Sequence, residues 1–277
     1  MKGLIDYYNE CYIDYRILWR TNKNLSLHYG FHDEKHKTHD KAVINMNRVL
    51  AKTAKIKSKD RVLDAGCGIG GSSIWIAKNL EAEVTGLNVH EGQLKIARYL
   101  SKKNKVESLV KFVKGDFTDT GFPDSYFDAV FGLESICYAE NKKDFLKETR
   151  RILKNNGRMV IADGFLKKEN LEINEKKEME KWLDGWYVPN LAGINEFRIY
   201  LEELGFKNIE FRDITENVMP SSVRLYRASI PAYPIGKFLE LVKIRTKKQT
   251  GNIVSASYQY KTLKKGLWAY CIFYAEK

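Results

Sequence analysis

The stretch Val62-Leu63-Asp64-Ala65-Gly66-Cys67-Gly68-Ile69-Gly70-Gly71 reads as a buried strand running straight into a glycine turn. Glycines there let the backbone bend sharply and approach a bound molecule with no Cβ in the way. The N-terminus of the helix that follows offers free N–H groups to an anion. Gly66, Gly68 and Gly71 also satisfy Gly-x-Gly-x-x-Gly, so a dinucleotide site has to be weighed. Such a site uses an acid at the end of the second strand, roughly 20 residues on, to hold a ribose. Here that position is Asn88. Asp64 lies instead inside the turn, two residues before the first glycine, where a carboxylate suits a cationic ligand group better than a pyrophosphate.

An amino-acid ammonium beside that carboxylate, with its own carboxylate on glycine N–H groups, describes the methionine end of S-adenosylmethionine. The stretch resembles motif I of class I S-adenosylmethionine-dependent methyltransferases, usually Leu-Asp-x-Gly-x-Gly-x-Gly. Later segments fit in order and spacing, so the resemblance covers about residues 38–215 and the final strand at 267–275. Val84 to Gln93 resembles the next segment in the sterol C-methyltransferase and cyclopropane-synthase-like branches, where Gly-Leu-Asn precedes a Gln. Asn88 and Gln93 would then face the ribose. Lys114-Gly115-Asp116-Phe117 is similar to the Gly-Asp-Phe motif, whose Asp reads the adenine amino group. Leu153 to Arg158 resembles Leu-Lys-Pro-Gly-Gly, with Asn156 in place of a glycine, a residue that tolerates left-handed backbone angles. The cofactor implied is S-adenosylmethionine. The binding set implied is Asp64, Gly66, Cys67, Gly68, Gly70, Asn88, Val89, Gln93, Gly115, Asp116, Phe117, Leu133 and Tyr29.

On the acceptor side, Gly132-Leu133-Glu134-Ser135-Ile136-Cys137-Tyr138 resembles the Glu-Ala-Thr-Cys-His of sterol C-methyltransferases and the Glu-Ser-x-x-His of tocopherol-type enzymes. Glu134 is the residue expected to take a proton, or to stabilise carbocation charge, after methyl transfer. The alternative is a capping carboxylate that positions Ser135 or a loop N–H. Tyr138 stands where relatives often carry His, and His28 is a further candidate contact to the acceptor. Aromatic faces favour a sulfonium or a cationic intermediate. Tyr7, Tyr8, Tyr12, Tyr15, Trp19, Tyr29 and Phe31 fall in the N-terminal region, and Trp182, Trp186 and Tyr187 in a later insertion. Tyr29, Trp186 and Tyr138 are the ones expected in the cavity. The resemblance implies a small, hydrophobic or isoprenoid-like acceptor and favours C-methylation over O- or N-methylation. A binding protein for RNA or lipid on the same fold is the answer from a different class.

His28, His32, His36 and His39 lie beside Asp33, Glu34 and Asp40, but the spacing straddles a glycine loop and a helix start. A solvated polar loop is expected there rather than a metal site. The net charge of +12 is concentrated between Ser221 and Lys265, where ten Lys or Arg face one acid, Glu240. Residues 235–248 make an amphipathic basic segment that could lie on an anionic membrane. Arg224 and Arg227 could instead clamp a phosphorylated acceptor. Nucleic acid comes third, because no zinc knuckle or RNP-like signature is present.

These residues need a scaffold. Strands expected at 61–65, 83–87, 110–113, 127–131, 158–162, 208–214 and 267–275 alternate with helices at 72–80, 91–103 and 142–153, the last stopped by Asn155-Asn156-Gly157. That rhythm predicts an α/β fold, a doubly wound and mostly parallel sheet. The resemblance makes it seven-stranded, with N-terminal helices and a helical lid inserted around the last strands. One domain over 1–277 is expected: an N-terminal helical cap over 1–57, a cofactor-binding core over 58–165, lid insertions over 166–206 and 217–265, and the last two strands at 207–216 and 266–277. Helices are expected over 1–20, from Thr38 as N-cap through Ala54, over 170–186 and over 194–204. Pro220, Pro231 and Pro234 should interrupt the basic segment. The longest apolar run, Trp268 to Ala275, is eight residues, against the roughly 20 of a membrane span. Four separated cysteines and a polar N-terminus fit a cytoplasmic protein, at most peripheral to a membrane.

Overall fold

Consecutive side chains of the central strands go to opposite faces of the sheet and build two cores. Val62, Phe131 and Val160 enter one, Leu63, Val130 and Ile161 the other, as a strand's period of two requires. The computed structural model describes residues 2–168 and 170–277. In chain order its elements are α1 (Lys2–Glu10), α2 (Tyr12–Leu18), α3 (Thr21–Asn24), α4 (His39–Thr53), β1 (Arg61–Ala65), α5 (Gly71–Leu80), β2 (Glu83–Asn88), α6 (Glu91–Lys103), β3 (Val110–Lys114), β4 (Phe127–Leu133), α7 (Lys142–Ile152), β5 (Leu153–Leu166), α8 (Ile173–Leu183), α9 (Ile194–Glu203), β6 (Lys207–Asp213), α10 (Thr215–Leu241), α11 (Lys247–Lys264) and β7 (Trp268–Glu276).

The strand order is β3-β2-β1-β4-β5-β7-β6. All neighbours are parallel except β7, which runs antiparallel to both β5 and β6. The doubly wound, mostly parallel seven-stranded sheet is therefore as expected. From β1 the chain winds outward through β2 and β3, then returns to place β4 on the other side of β1. The crevice above the carboxyl ends of β1 and β4 is thus the switch point at which open α/β sheets bind ligands.

Four expectations need correction. The N-terminal helix expected over 1–20 is two pieces, α1 and α2, broken at the fully buried Cys11, with the short α3 following. Thr38 sits at the N-cap of α4 but makes no side-chain capping bond. Asn155-Asn156-Gly157 does not end α7, which stops at Ile152; these residues lie inside β5, which already begins at Leu153. Leu153 pairs with Phe127 and Arg158 with Ala129, so the residues between buckle out, Asn156 at φ 61°. The three prolines do not interrupt the basic segment; all lie inside α10. Its packing against α11 outweighs their propensity, since most helix stability in proteins comes from tertiary contact. In addition, α9 does not behave as lid. Its Phe197 and Leu201 are buried with Phe165 and Phe273 against the sheet.

Candidate active site

The glycine turn is built for close approach. Gly66, Gly68 and Gly70 have φ of 88°, 54° and 84°, backbone that L side chains adopt at a cost of about 1–2 kcal/mol. A Cβ on Gly66 would stand 2.3 Å from Cβ of Ser135, so the loop after β4 rests directly on the turn after β1. A Cβ on Gly71 would meet the carbonyl oxygen of Leu25 at 1.9 Å, which places a strap of residues 25–29 across the start of α5. Gly68 has open space, with only Leu27 within 4 Å of such a Cβ, at 3.9 Å.

Above this turn lies a cavity walled by the ends of β1, β2 and β4, by α1 and by the strap. Of the thirteen residues expected at the cofactor, nine line it: Asp64, Gly66, Cys67, Gly68, Asn88, Val89, Gln93, Phe117 and Leu133. Asp64 is buried and accepts from Ser73 Oγ at 2.6 Å. Burial pushes its carboxyl up to about 6. Asn88 donates to Gln93 Oε1 at 2.8 Å, and its own oxygen accepts from His90 N at 3.2 Å.

Gly70, Gly115, Asp116 and Tyr29 are not in this wall. The space beyond Gly70 is filled by Phe112, whose Cζ would be 2.6 Å from an added Cβ, and that beyond Gly115 by Leu87 at 2.8 Å. Asp116 folds onto its own turn, accepting from Thr118 N at 2.8 Å and Thr118 Oγ1 at 2.7 Å. Tyr29 belongs to a second chamber.

That chamber adjoins the first and shares Tyr8, Leu27, Glu134 and Tyr138 with it. Its wall is aromatic and acidic. Tyr15, Trp19, Tyr29, Trp182, Trp186, Trp268 and Tyr270 line it with Glu134 and Asp163, and no Lys or Arg among the described residues does. All three residues expected in the cavity (Tyr29, Trp186 and Tyr138) are there. Tyr7, Tyr12, Phe31 and Tyr187 are not. Tyr7 is buried in the cap, bonded to Asn252 at 3.0 Å and stacked on Tyr187, and Phe31 packs under Arg212.

Glu134 stands at the junction with φ of 50°. One oxygen, Oε1, accepts from Tyr29 N and from Tyr270 OH, both at 2.7 Å. Burial raises its carboxyl to about 8, against the pull of those two donors. Tyr138 bonds Tyr8 at 3.0 Å across the chamber mouth. His28 lines the first cavity. Its Nδ1 lies 2.8 Å from the Tyr29 carbonyl, an acceptor only, so the ring's proton is on Nδ1 and Nε2 carries a lone pair. Burial lowers His28 to about 4, which keeps it neutral. Nε2 of His28 and Nε1 of Trp182 and Trp186 are buried without a protein partner. Orphaned polar atoms facing cavities ask for ligand groups.

The histidines scatter rather than form the expected solvated loop. His28 and, in part, His39 are buried, the latter also pushed down to about 4 by burial. His32 faces Ser221 and His36 pairs with Asp33. Arg224 sits near Asp40 and His39, and neither it nor Arg227 lines either cavity. Sequence reasoning missed His90, the strap residues Leu25 to Leu27, Tyr270 and Asp163. Only Asp163, an acid directly after the apolar run Met159 to Ala162, left a signal.

A family model described as a methyltransferase domain matches residues 63–161. The chain is 28% identical over 213 residues to a sterol 24-C-methyltransferase of Kluyveromyces lactis, covering 76% of this chain and 56% of that one. It is 28% identical over 206 residues to the 27-O-demethylrifamycin SV methyltransferase of Amycolatopsis mediterranei, covering 74% and 73%. The chain thus spans little more than half the length of the sterol methyltransferase it matches. Its fold is similar to that of a geranyl diphosphate C-methyltransferase from Streptomyces coelicolor, solved with Mg2+, geranyl diphosphate and S-adenosyl-L-homocysteine. The TM-score is 0.76 at 17% identity, over 99% of this chain and 96% of that one.

Proposed function

The chain belongs to the class I S-adenosylmethionine-dependent methyltransferases, and from that premise we propose that it methylates a small, apolar acceptor, on carbon rather than oxygen or nitrogen. The observation that carries this reading is the pair of joined cavities with Glu134 at their junction.

The first cavity fits the cofactor. Asp64 offers a carboxylate to an ammonium, Gly66 and Gly68 let the backbone come close, and Asn88 and Gln93 offer an amide pair suited to ribose hydroxyls. Phe117 and Leu133 supply apolar faces for a purine, and His28 Nε2 an unpartnered acceptor. Bound there, S-adenosylmethionine supplies a methyl group on a cationic sulfur open to in-line displacement. Everything else is done by the chain: aligning the acceptor, excluding water, and placing charge.

The second chamber suits an acceptor that is apolar and turns cationic on reaction. Its aromatic faces attract positive charge, and its lack of Lys and Arg disfavours a phosphate at that depth. Glu134, when ionised, would stabilise charge left on an alkene carbon and then take the proton whose loss restores neutrality. Tyr29 N–H and Tyr270 OH hold its other oxygen still. O-methylation of a metabolite is the second reading. It is favoured by the likeness to the 27-O-demethylrifamycin SV methyltransferase, 28% identical over 206 residues.

Titration with S-adenosylmethionine and S-adenosylhomocysteine tests the cofactor half. Labelled methyl transfer to isoprenoid, sterol and phenolic acceptors then tests the other. Saturable cofactor binding with label on carbon supports the reading; label on oxygen selects the second; no cofactor binding would falsify both.

A further inference from the structure

The far end of α10 and its connection to α11 leave large apolar side chains in water. Phe238, Leu241 and Ile244 are 62%, 79% and 74% exposed, and Ile230 and Val242 are exposed beside them. On a helix, 230, 238 and 241 fall on one side, so this is a continuous stripe and not scattered singles. Contiguous exposed apolar surface marks a docking site.

Its charge says for what. Between 230 and 248 stand Lys237, Lys243, Arg245, Lys247 and Lys248 against a single acid, Glu240, which pairs with Lys237 at 3.2 Å. Arg245 is used by Asp14, and Lys248 by Glu10 at 2.8 Å. These bonds pin the connection to α1 and α2. Lys243 and Lys247 form no ion pair among the described residues and stand at the edge of the apolar stripe. Apolar side chains ringed by free cations fit the interface of an anionic bilayer. A second copy fits worse, because a two-fold contact would bring the same lysines face to face.

We propose that the α10–α11 connection docks this protein on anionic membrane, with Phe238, Leu241, Val242 and Ile244 entering the interface and Lys243 and Lys247 meeting lipid head groups. Because the same segment is tied to α1 and α2, and α1 contributes Leu4, Ile5 and Tyr8 to the first cavity, docking holds the cap over the site against the bilayer. Docking stands apart from the methyl-transfer reading; only delivery of an apolar acceptor from the bilayer rests on it.

The test is sedimentation of the full chain with phosphatidylcholine vesicles, with and without phosphatidylglycerol. The expected result is binding to the anionic vesicles only, weakened by salt. Phe238→Ser with Leu241→Ser should lower it by about tenfold or more. Lys243→Glu with Lys247→Glu should lower it comparably. Ile173→Ser, at an exposed residue elsewhere, should change nothing, and all variants should still bind S-adenosylhomocysteine like the parent, since none touches a cavity. No binding by the parent overturns the proposal, as does binding that the Phe238 and Leu241 changes leave intact. A concentration-dependent dimer in analytical ultracentrifugation, lost in Phe238→Ser with Leu241→Ser, overturns it in favour of a second copy.

Discussion

Glu134 carries the tension of the site. It holds a left-handed backbone that non-glycine residues rarely keep, and burial raises its carboxyl to about 8. In the proposed role the working form is the carboxylate, so kcat/KM should rise with pH and level off only above about 8. Glu134→Gln should flatten that profile and cost roughly 10²–10⁴ in turnover while leaving cofactor affinity unchanged. Tyr270→Phe removes a donor that favours the charged form, so the inflection should move to higher pH. A merely structural Tyr270 would lower the rate without moving it. The stability sign follows as well. The folded state holds this proton above the ordinary carboxyl range, so ionisation costs stability as pH climbs from about 4.5 through 8. Glu134→Gln should remove that slope in thermal unfolding. Asp64 behaves in the opposite sense towards its ligand. With its carboxyl at about 6, cofactor affinity should fall as pH drops below 6, and Asp64→Asn should lose at least about tenfold by calorimetry. Glu134 and Asp64 were legible because acids at the carboxyl ends of strands announce themselves by type. Tyr270 was not, since only the antiparallel pairing of β5 with β7, which sets Gly164 opposite Tyr270, brings it beside Glu134.

At the scale of elements, the turn between β1 and α5 makes a paired prediction, because its glycines are required for different reasons. At Gly66 an added methyl collides with Ser135 and meets φ of 88°. Gly66→Ala should therefore separate the β4 loop from the turn and destabilise the fold by about 3 kcal/mol or more. At Gly68 the methyl has room and projects from a residue lining the cavity. Gly68→Ala should cost only about 1–2 kcal/mol of stability yet weaken cofactor binding beyond that. Thermal unfolding and calorimetry on the two variants separate packing from ligand approach. The strands and the helices of the core were legible because burial on both faces writes near-continuous apolar runs, as in Val62 to Ala65 and Phe127 to Phe131. The capping elements were not. Breaks such as Cys11, the strap over Gly71 and the proline-bearing α10 are decided by what packs against them, and local propensity holds no record of that.

For the whole molecule, the question is how cap and core are joined. Tyr8 reaches Tyr138, Tyr29 reaches both Glu134 and, through its hydroxyl, Gln259 of α11 at 2.8 Å, and the strap crosses α5 at Gly71. The N-terminal helices, α8 and the sheet therefore share a wall around the two cavities, and α11 packs behind it through Gln259. A ligand seated there touches all three, so its binding free energy should appear in each. S-adenosylhomocysteine at 100 times its dissociation constant should stabilise by about 2.7 kcal/mol, a rise in Tm of roughly 5–10 °C for a chain of this size. Hydrogen exchange should slow together in α1, the strap and the turn after β1. The exposed end of α10, which lines no cavity, should exchange unchanged on ligand and slow only with anionic vesicles. Protection confined to the glycine turn would show instead that cap and core bind their ligands as independent parts.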